Sequence, residues 1–330
     1  MKVLFIGGTG VISSACSQLA IERGFELYLL NRGQTSRAVP EGAKIIRGDI
    51  RDQKAVKAVL GKNEFDVVVD WICYLPEHLE IDLALFRGRT DQFIFISSAS
   101  AYQKPPEKLP ITELTPLSNP YWQYSRDKIA CEERLVQAYQ TEQFPMTIVR
   151  PSHTYDQTKL PVAAGYTTIA RMRQGKPVIV YGDGTSIWVL THHKDFAKGF
   201  VGLLGNQRAI GEAFHITSDE LLTWNQIYAL LAKAVGVQPK LVHVPSEVLH
   251  QFDSEWGAGL LGDKSHSVIF DNTKIKQFVP DYKAKIPFAQ GAREIIEWYE
   301  ADSTRQIVDE KFDHLFDRVI QVFEKHTRSA

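Results

Sequence analysis

Tyr124 and Lys128 lie one helical turn apart in the run Tyr-Ser-Arg-Asp-Lys, so a helix there places a phenol and an ammonium on one face. An ammonium beside a phenol stabilises the phenolate, and we therefore expect the pKa of Tyr124 to fall toward working pH. Upstream, Ser97, Ser98 and Ser100 follow a run of β-branched and aromatic residues. Together these groups are typical of proton exchange with a substrate hydroxyl.

A glycine-rich turn near the N-terminus is the second chemical signal. Gly7-Gly8-Thr9-Gly10-Val11-Ile12-Ser13 follows an apolar run at 3–6 and opens a helical pattern, which is the context of a dinucleotide-binding turn. Glycines there let the backbone approach a pyrophosphate, whose charge is stabilised by free N–H groups at the helix start. Ser13 takes the third glycine position and is small enough for close packing. The pattern predicts cofactor contacts from Gly7, Thr9, Gly10, Val11 and Ile12.

The end of the second predicted strand bears on which dinucleotide binds. It reads Leu-Leu-Asn31-Arg32-Gly, with no acidic residue where an NAD site usually holds the ribose hydroxyls. Arg32 offers a planar guanidinium to a 2′-phosphate, whereas Asn31 can bond either ribose. We therefore expect NADP(H) to be preferred, with NAD(H) as the alternative. At the third strand end, Asp49-Ile50 places a carboxylate where it can accept a hydrogen bond from the adenine amino group.

Strands and helices alternate through the first half of the chain. Short apolar runs predict strands at 3–6, 26–30, 44–47, 66–70, 92–97 and 146–149, and helical patterns lie between them, among others at 14–23, 53–60 and 124–140. This alternation predicts an α/β fold with a Rossmann-type doubly wound parallel sheet. Five prolines between 103 and 120 predict a long ordered loop. An apolar stripe at 306–325 predicts a helix docked on its own domain, the alternative being a dimer contact.

The composition excludes several classes of function. The 330 residues carry 38 Lys and Arg against 39 Asp and Glu, a net charge of −1, so the chain has no general attraction for nucleic acid or an anionic membrane. No apolar run is long enough to span a bilayer and the N-terminus lacks a signal-peptide pattern, so we expect a cytoplasmic protein. Three scattered cysteines are interpreted as small buried residues rather than a disulfide framework or a zinc site.

In the order of its motifs the chain resembles the extended short-chain dehydrogenase/reductases, the NAD(P)-dependent sugar epimerase/dehydratase group. The matches run through most of the chain: the turn at 7–13, Asp49, Ser98 with Ala101-Tyr102, the loop at 110–113, Tyr124 with Lys128, Arg150-Pro151, Gly182-Asp183-Gly184, Asp195-Phe196-Ala197 and Trp298. We expect a dinucleotide-binding domain at 1–150 and about 187–218. A smaller substrate-binding region with the C-terminal helix is expected at about 151–186 and 219–330.

The resemblance implies roles for individual residues. Tyr124 would be the general acid and base, Lys128 would hold the nicotinamide ribose, and Ser98 would bond the reacting oxygen. Ile50 and Pro151 would complete the cofactor site. A small-molecule substrate is implied, and so is a homodimer that pairs the helix at 124–140 with its copy and with the helix before the strand at 92–97.

Departures from the family pattern bear on the substrate. Ala99 and Ser100 stand where sugar dehydratases carry an Asp-Glu pair, which speaks against dehydratase activity. Trp188 stands where nucleotide-sugar enzymes place an arginine on the diphosphate, so we expect a smaller or less charged substrate unless Arg171 or Arg173 takes over. An indole is better suited to stacking on a ring than to gripping phosphate.

The segment after residue 150 departs as well. Asp156 stands where the family commonly has glycine, and His153 adds an imidazole close to the predicted nicotinamide. Substrate contacts are therefore expected from Ser100, His153, Trp188 and Arg171. The adjacent His192 and His193 diverge too much to share a metal, and no metal site is expected.

Three functions remain open from the sequence. The first is an epimerase-like enzyme that removes and returns a hydride on a sugar or nucleotide-sugar-like hydroxy compound. The second is an NADP-dependent ketone/alcohol oxidoreductase with net turnover of the cofactor. The third is a non-catalytic RNA-binding or regulatory protein, since the group has chloroplast stem-loop-binding members. The presence of Tyr124, Lys128 and Ser98 argues against a loss of catalytic activity.

Overall fold

A computed structural model describes residues 1–34 and 37–328. The strands are β1 (Lys2–Ile6), β2 (Glu26–Asn31), β3 (Lys44–Arg47), β4 (Phe65–Asp70), β5 (Thr90–Ile96), β6 (Met146–Pro151), β7 (His153–Tyr155), β8 (Pro177–Tyr181), β9 (Ile187–Trp188), β10 (Leu190–His192), β11 (Ala213–Ile216), β12 (Leu222–Thr223) and β13 (Lys240–Val244). The helices are α1 (Ser13–Glu22), α2 (Gln53–Leu60), α3 (Pro76–Phe86), α4 (Gln123–Glu142), α5 (Tyr166–Arg173), α6 (His193–Val201), α7 (Trp224–Val235), α8 (Ser246–Phe252), α9 (Ser254–Gly259), α10 (Thr273–Phe278), α11 (Phe288–Glu300) and α12 (Glu310–Arg328).

Seven of the strands form one parallel sheet in the order β11-β6-β5-β4-β1-β2-β3. The chain runs outward through β1, β2 and β3 and then crosses back, so that β4 pairs with the other side of β1. Such a reversal leaves a crevice at the carboxyl ends of the two central strands, which is where ligands bind in open α/β sheets. The predicted doubly wound fold is confirmed.

Both faces of this sheet are buried. In β1, Val3 and Phe5 enter the core that α1 and α6 cover, whereas Leu4 and Ile6 enter the core on the opposite face. Side chains of consecutive strand residues point to opposite faces. A strand buried on both sides must therefore be apolar throughout, which is the pattern that the sequence shows.

A second region with its own core lies beside the sheet. The parallel pair of β8 and β13 packs there with α5, α7, α11 and α12. Trp188 and Trp224 stack at its centre, with ring centroids 5.4 Å apart. Phe316 and Val319 of α12 are buried in the same core, so the prediction that this helix docks on its own chain is confirmed.

The proline-rich loop at 103–120 is ordered by contacts with the second region. The Ile111 amide donates to the Ile269 carbonyl at 2.7 Å, and the Ile111 side chain is fully buried. Tyr102, at the start of the loop, packs in the same core. The loop thereby ties the carboxyl edge of the sheet to the second region.

A buried ion pair fastens α4 to β6. Arg150 donates to both carboxylate oxygens of Glu132, at 3.0 Å from Nε to Oε1 and 2.6 Å from Nη2 to Oε2. The two side chains are only 6% and 2% exposed. Because α4 carries Tyr124 and Lys128, this pair fixes the helix on which the expected chemistry depends.

We predict that Arg150→Met destabilises the protein by about 3–5 kcal/mol, because the substitution leaves the Glu132 carboxylate buried without its counter-charge. Urea unfolding of the variant and the parent at pH 7 measures the change. The double variant Arg150→Met with Glu132→Leu removes both charges and should recover most of the loss. Equal stability of parent and single variant would contradict this account.

Candidate active site

A continuous groove crosses the carboxyl edge of the sheet at the crevice between β1 and β4. It consists of two cavities of about 570 and 590 Å³ that share Gly7, Thr9, Ile72 and Tyr74. One cavity runs from the glycine turn to the first turn of α4, and the other follows the ends of β2 and β3. A groove with two arms of similar size suits an elongated, two-part ligand.

The turn between β1 and α1 is shaped for close approach of a ligand. Gly7 and Gly8 have φ angles of 98° and 97°, and a Cβ on Gly8 would lie 2.6 Å from Leu29 Cδ2. Helix α1 begins after Ile12 without a side-chain cap, so its first N–H groups remain available for an anion. The predicted contact residues of this turn, Gly7, Thr9, Gly10, Val11 and Ile12, all line the groove. These residues fit the pyrophosphate of a dinucleotide.

The other arm of the groove contains the residues expected at the adenosine. Asn31, Arg32, Asp49 and Ile50 all line it. The Arg32 guanidinium lies 3.8 Å from the Asp49 carboxylate, and both side chains are well exposed. Asp49 also accepts a hydrogen bond from the Arg51 amide at 3.0 Å. The arm therefore places an arginine and an amide at the end of β2, and residues 28–34 include no acidic residue.

Two further arginines lie at this arm and were missed in the sequence. Arg47 is in register with Asn31, and its guanidinium lies directly against Gly33. The Arg51 side chain lines the groove and donates to the Ile72 carbonyl. Their position at the end of the third predicted strand, beside Asp49, is the signal that could have found them.

Tyr124, Lys128 and Ser98 meet at the opposite arm. The buried Lys128 ammonium donates to the Cys73 carbonyl at 2.5 Å and to the Ile96 carbonyl at 2.8 Å, which anchors it behind β4 and β5. Its nitrogen lies 5.8 Å from the centre of the Tyr124 ring. Ser98 lines the same cavity, and its hydroxyl lies close enough to the Tyr124 hydroxyl to lower the pKa of that phenol. The groove thus brings together a phenol, an ammonium and an alcohol, with Pro151 on its far wall.

The expected lowering of the Tyr124 pKa is wrong for this structure. Burial raises the pKa of Tyr124 to about 12, neighbouring Tyr74 adds to the effect, and the Ser98 hydroxyl opposes it. The Lys128 ammonium, which donates to two carbonyl oxygens, does not offset this increase. Burial also lowers the pKa of Lys128. Tyr124 is therefore protonated in this structure, and it must lose that proton before it can act as a base.

Ser100 lies behind Ser98, and its hydroxyl contacts the Ser98 hydroxyl and not the groove. Its hydroxyl lies 2.9 Å from the Ser98 hydroxyl and accepts a bond from Ser125 at 2.8 Å. Ser100 and Ser125 are buried. The expectation of a direct substrate contact from Ser100 is corrected, because both neighbours that its hydroxyl meets are protein hydroxyls.

Acidic and thiol groups lie directly beneath Lys128. The ligating atoms of Asp70, Cys73 and Asp82 lie within 4.8 Å of one another, and all three side chains are buried. Burial and the nearby Asp70 raise the pKa of Asp82 well above its ordinary value, which favours the neutral form of this carboxyl group. Cys16, Cys73 and Cys131 are buried free thiols, as predicted.

A third cavity of about 550 Å³ lies in the second region, close to the groove. Trp122 connects the two, since its ring lies 4.9 Å from the Tyr124 ring and also lines this cavity. The lining is aromatic and charged: Trp122, His153, Tyr181, Trp256, Phe312, Lys159, Lys264, Lys311, Asp253 and Glu255. Aromatic walls with a few polar groups are typical of a site for a cyclic polar ligand.

His153 faces this cavity as expected, but Trp188 does not. Trp188 is 1% exposed and donates its indole N–H to His153 Nδ1 at 3.1 Å. Because Trp224 covers its face, Trp188 cannot stack on a substrate ring, and that expectation is corrected. The Lys264 ammonium lies 5.9 Å from the Trp188 ring and 5.6 Å from the Trp122 ring. A cation therefore stands near the place where the family pattern has an arginine.

Arg171 is also placed away from the cavity, which corrects the expectation of a substrate contact. Its guanidinium is 1% exposed and donates to Asp313 at 2.5 Å and Asp317 at 2.7 Å on α12. Arg173 lies near the surface and pairs with Glu300. Both arginines fasten structural elements. His192 binds Glu294 at 3.0 Å, so it and His193 form no metal pair.

Arg37 is a groove residue that the sequence analysis did not select. It lines the same cavity as the glycine turn. Its Nη1 lies 2.7 Å from the Asp156 carboxylate, and its Nη2 donates to the Thr158 hydroxyl. A pairing across 119 residues has no signature in local sequence.

Within the described part of the chain, no helix combines the length and apolar character needed to cross a membrane.

Comparison with protein-family models gives one match, to the NAD dependent epimerase/dehydratase family, over residues 3–80 and 78–217. Among curated proteins, the chain is 25% identical to 2′-dehydrokanamycin reductase of Streptomyces kanamyceticus, over 86% of this chain and 81% of that protein. It is 30% identical to the chloroplast stem-loop binding protein of 41 kDa b of Arabidopsis thaliana, over 73% and 65%. It is 31% identical to UDP-glucose 4-epimerase of Lactobacillus helveticus, over 46% and 51%.

Solved structures share the fold. An epimerase from Methanothermobacter thermautotrophicus superposes with a TM-score of 0.76 at 17% identity, covering 92% of this chain and 94% of that one. UDP-glucuronic acid 4-epimerase from Bacillus cereus, solved in complex with NAD, gives a TM-score of 0.73 at 19% identity, covering 91% and 99%.

We predict that the protein loses stability as the pH falls below 6.5. Burial lowers the pKa of His153, His192, His193, His215 and His266, for His193 to about 4. The unfolded chain takes up these protons near pH 6.5, so it binds more protons than the folded state below that pH and becomes favoured. Below pH 6.5, each of these histidines lowers the free energy of unfolding by up to about 1.4 kcal/mol for every unit by which the pH falls.

Urea unfolding at pH 7.0 and pH 5.5 measures this loss. His193→Asn removes one titrating group and should reduce the difference between the two pH values. A free energy of unfolding that is the same at both would show that these histidines titrate normally.

Proposed function

The chain belongs to the NAD dependent epimerase/dehydratase family and is an NAD(P)-dependent enzyme, and from this we propose an epimerase-like activity on a cyclic hydroxy compound. The observation that carries the proposal is the position of Tyr124. It lines the head of the dinucleotide groove together with Ser98, and its ring lies 4.9 Å from the ring of Trp122, which lines the third cavity. A ligand in that cavity is therefore close to the phenol.

The proton chemistry follows from the residues at this junction. Tyr124 exchanges a proton with the reacting hydroxyl of the substrate, and Ser98 holds the same oxygen and the phenol in line. Lys128, fixed by two carbonyl oxygens, orients the ribose side of the site and adds positive charge. When bound, the nicotinamide supplies the carbon that accepts and returns the hydride.

The cofactor preferred by this site is proposed to be NADP(H), with NAD(H) as the weaker ligand. Arg32 and Arg47 flank Asn31 at the end of the adenosine arm, and Arg51 lies nearby. Guanidinium groups meet phosphate oxygens in a fork and stay charged. The acidic residue that would hold free ribose hydroxyls is missing from the end of β2.

The substrate is proposed to be a sugar or a sugar-like ring, with or without a nucleotide. Trp122, Trp256 and Phe312 offer flat apolar faces to a ring. Lys159 and Lys264 offer positive charge on the same wall. A nucleotide diphosphate would have to be held by these lysines, since Trp188, Arg171 and Arg173 do not reach the cavity.

A reductase with net cofactor turnover is the second candidate. The similarity to 2′-dehydrokanamycin reductase over most of both chains favours it. Both functions use Tyr124, Ser98 and Lys128 in the same way. Turnover by purified protein without added cofactor distinguishes them, since only an epimerase returns the hydride in each cycle. Retention of this complete catalytic group is the argument against a non-catalytic, RNA-binding role.

The division into domains and the assembly are further parts of the proposal. The dinucleotide-binding domain comprises 1–150 and about 187–218, and its support is the pairing of β11 with β6. The substrate region comprises the remainder. The proposed homodimer pairs α4 with its copy and with α3; α3 and α4 already lie side by side within the chain.

We predict that Tyr124→Phe leaves NADPH binding nearly intact and lowers turnover by roughly 10²–10⁴-fold, because only the transferable proton is lost. Fluorescence titration with NADPH and a steady-state assay on the substrate measure the two effects. Tyr121→Phe, at an exposed tyrosine three residues earlier, is the matched control and should behave as the parent. If Tyr124→Phe turned over almost as fast as the parent, another residue would have to transfer the proton, and His153 is the next candidate.

We predict that Arg32→Ala weakens NADPH binding by about 1.5 kcal/mol, roughly tenfold, and barely changes NADH binding. The lower end of the range for charged hydrogen bonds applies because the Arg32 side chain is 63% exposed. Parallel titrations of the parent and variant with both cofactors give the ratio. Arg126→Ala, on α4 and outside the groove, serves as the control. An equal loss for both cofactors would refute the 2′-phosphate preference.

A further inference from the structure

The ion pair between Arg37 and Asp156 joins two sides of the cofactor groove. Arg37 follows β2, which lies beyond β1 on one side of the sheet reversal, whereas Asp156 follows β7, which continues from β6 on the other side. The two charged groups meet at 2.7 Å. Arg37 lines the cavity together with the glycine turn and Ser152, so the pair holds an arginine on the wall of that cavity.

The Asp156 carboxylate is preorganised for the ion pair by hydrogen bonds from Thr158. Its Oδ1 accepts bonds from the Thr158 amide at 2.8 Å and from the Thr158 hydroxyl at 2.7 Å, which leaves Oδ2 for Arg37. The carboxylate side chain is only 3% exposed. Although burial opposes ionisation, the bonds from Thr158 and Arg37 lower the pKa of Asp156. A buried carboxylate holds its counter-ion firmly because separation leaves an uncompensated charge.

The Arg37 side of the pair is suited to a second anion. A guanidinium carries five N–H donors in a planar fork, so it can bond a carboxylate on one edge and a phosphate on another. The glycine turn that would hold the pyrophosphate lines the same cavity. Arg37 therefore stands between a fixed carboxylate and the place of the cofactor phosphates.

We propose that Arg37 and Asp156 form a latch over the pyrophosphate, which keeps the cofactor bound between catalytic cycles. This inference rests on the proposed function, since it requires that the groove hold a dinucleotide. Release of the cofactor then needs the ion pair to open first. Slow release is what an epimerase requires, because the reduced cofactor must stay until the hydride returns to the same substrate molecule.

The latch is tested by the rate at which NADPH leaves the protein. Asp156→Asn keeps the shape of the side chain but removes its charge, and it should raise the NADPH dissociation rate about tenfold while the association rate stays within twofold. The rate is measured by stopped-flow fluorescence after mixing the NADPH complex with excess NADP⁺. Glu300→Gln, which breaks the pair with Arg173 far from the groove, is the matched control and should leave the rate unchanged.

A second variant keeps the test decisive if Asp156→Asn does not fold. Arg37→Gln alters a side chain that is 29% exposed and removes both the latch and the phosphate contact, so its dissociation rate should rise more than tenfold. Folded variants whose dissociation rates stay within twofold of the parent would overturn the latch while leaving the proposed function intact. Failure of the parent to bind either NADPH or NADH would overturn both proposals. The assay uses no substrate, so absence of epimerase turnover alone would count only against the proposed function.

Discussion

The buried ammonium of Lys128 is the interaction on which the geometry of the site depends. It bonds the carbonyls of Cys73 and Ile96, which follow β4 and end β5, and so it ties α4 to the carboxyl edge of the sheet. Tyr124 is carried on the same helix, one turn before Lys128, and lines the groove together with Ser98. A buried cation needs compensation, and the carbonyl oxygens of Cys73 and Ile96 supply partial negative charge to it. The residue that anchors the proposed proton donor is therefore part of the core.

Buried ion pairs connect helices and strands of this fold in addition to the contacts of the hydrophobic core. Arg150 holds Glu132 between β6 and α4, and Arg171 fixes α12 to α5. Both guanidinium groups are almost completely buried and meet their carboxylates with several hydrogen bonds. Such pairs add less stability than apolar packing of equal size, but they discriminate strongly against other arrangements. The consequence is that α4, which carries Tyr124, is held against the sheet, and that α12, which lines the third cavity, is held against α5.

Sequence reasoning located groove residues where the motif consists of residues that are neighbours in the sequence. The turn at 7–13, the strand ends at Asn31 and Asp49, and the helical spacing of Tyr124 and Lys128 are local patterns, and the sheet order follows from general topology rules. It failed where the position of a side chain is set by partners that are distant in the sequence. Trp188 was expected to contact the substrate because of its place in the family pattern, and Arg171 as a replacement for the arginine missing there. Asp313 holds Arg171 elsewhere, and His153 and Trp224 do the same for Trp188. The pKa of Tyr124 was misjudged for the same reason, since burial is a property of the fold and not of spacing.

The docking of α12 has a consequence for the order in which the two sites can form. Lys311 and Phe312 complete the wall of the third cavity, whereas every strand of the seven-stranded sheet has been synthesised once Ile216 has been added. During translation the groove can therefore be assembled about a hundred residues before the cavity has its last wall. A nascent chain can take up its dinucleotide early, and the bound ligand then stabilises the first half while the second half is still being made. Substrate recognition is the last property that the growing chain acquires.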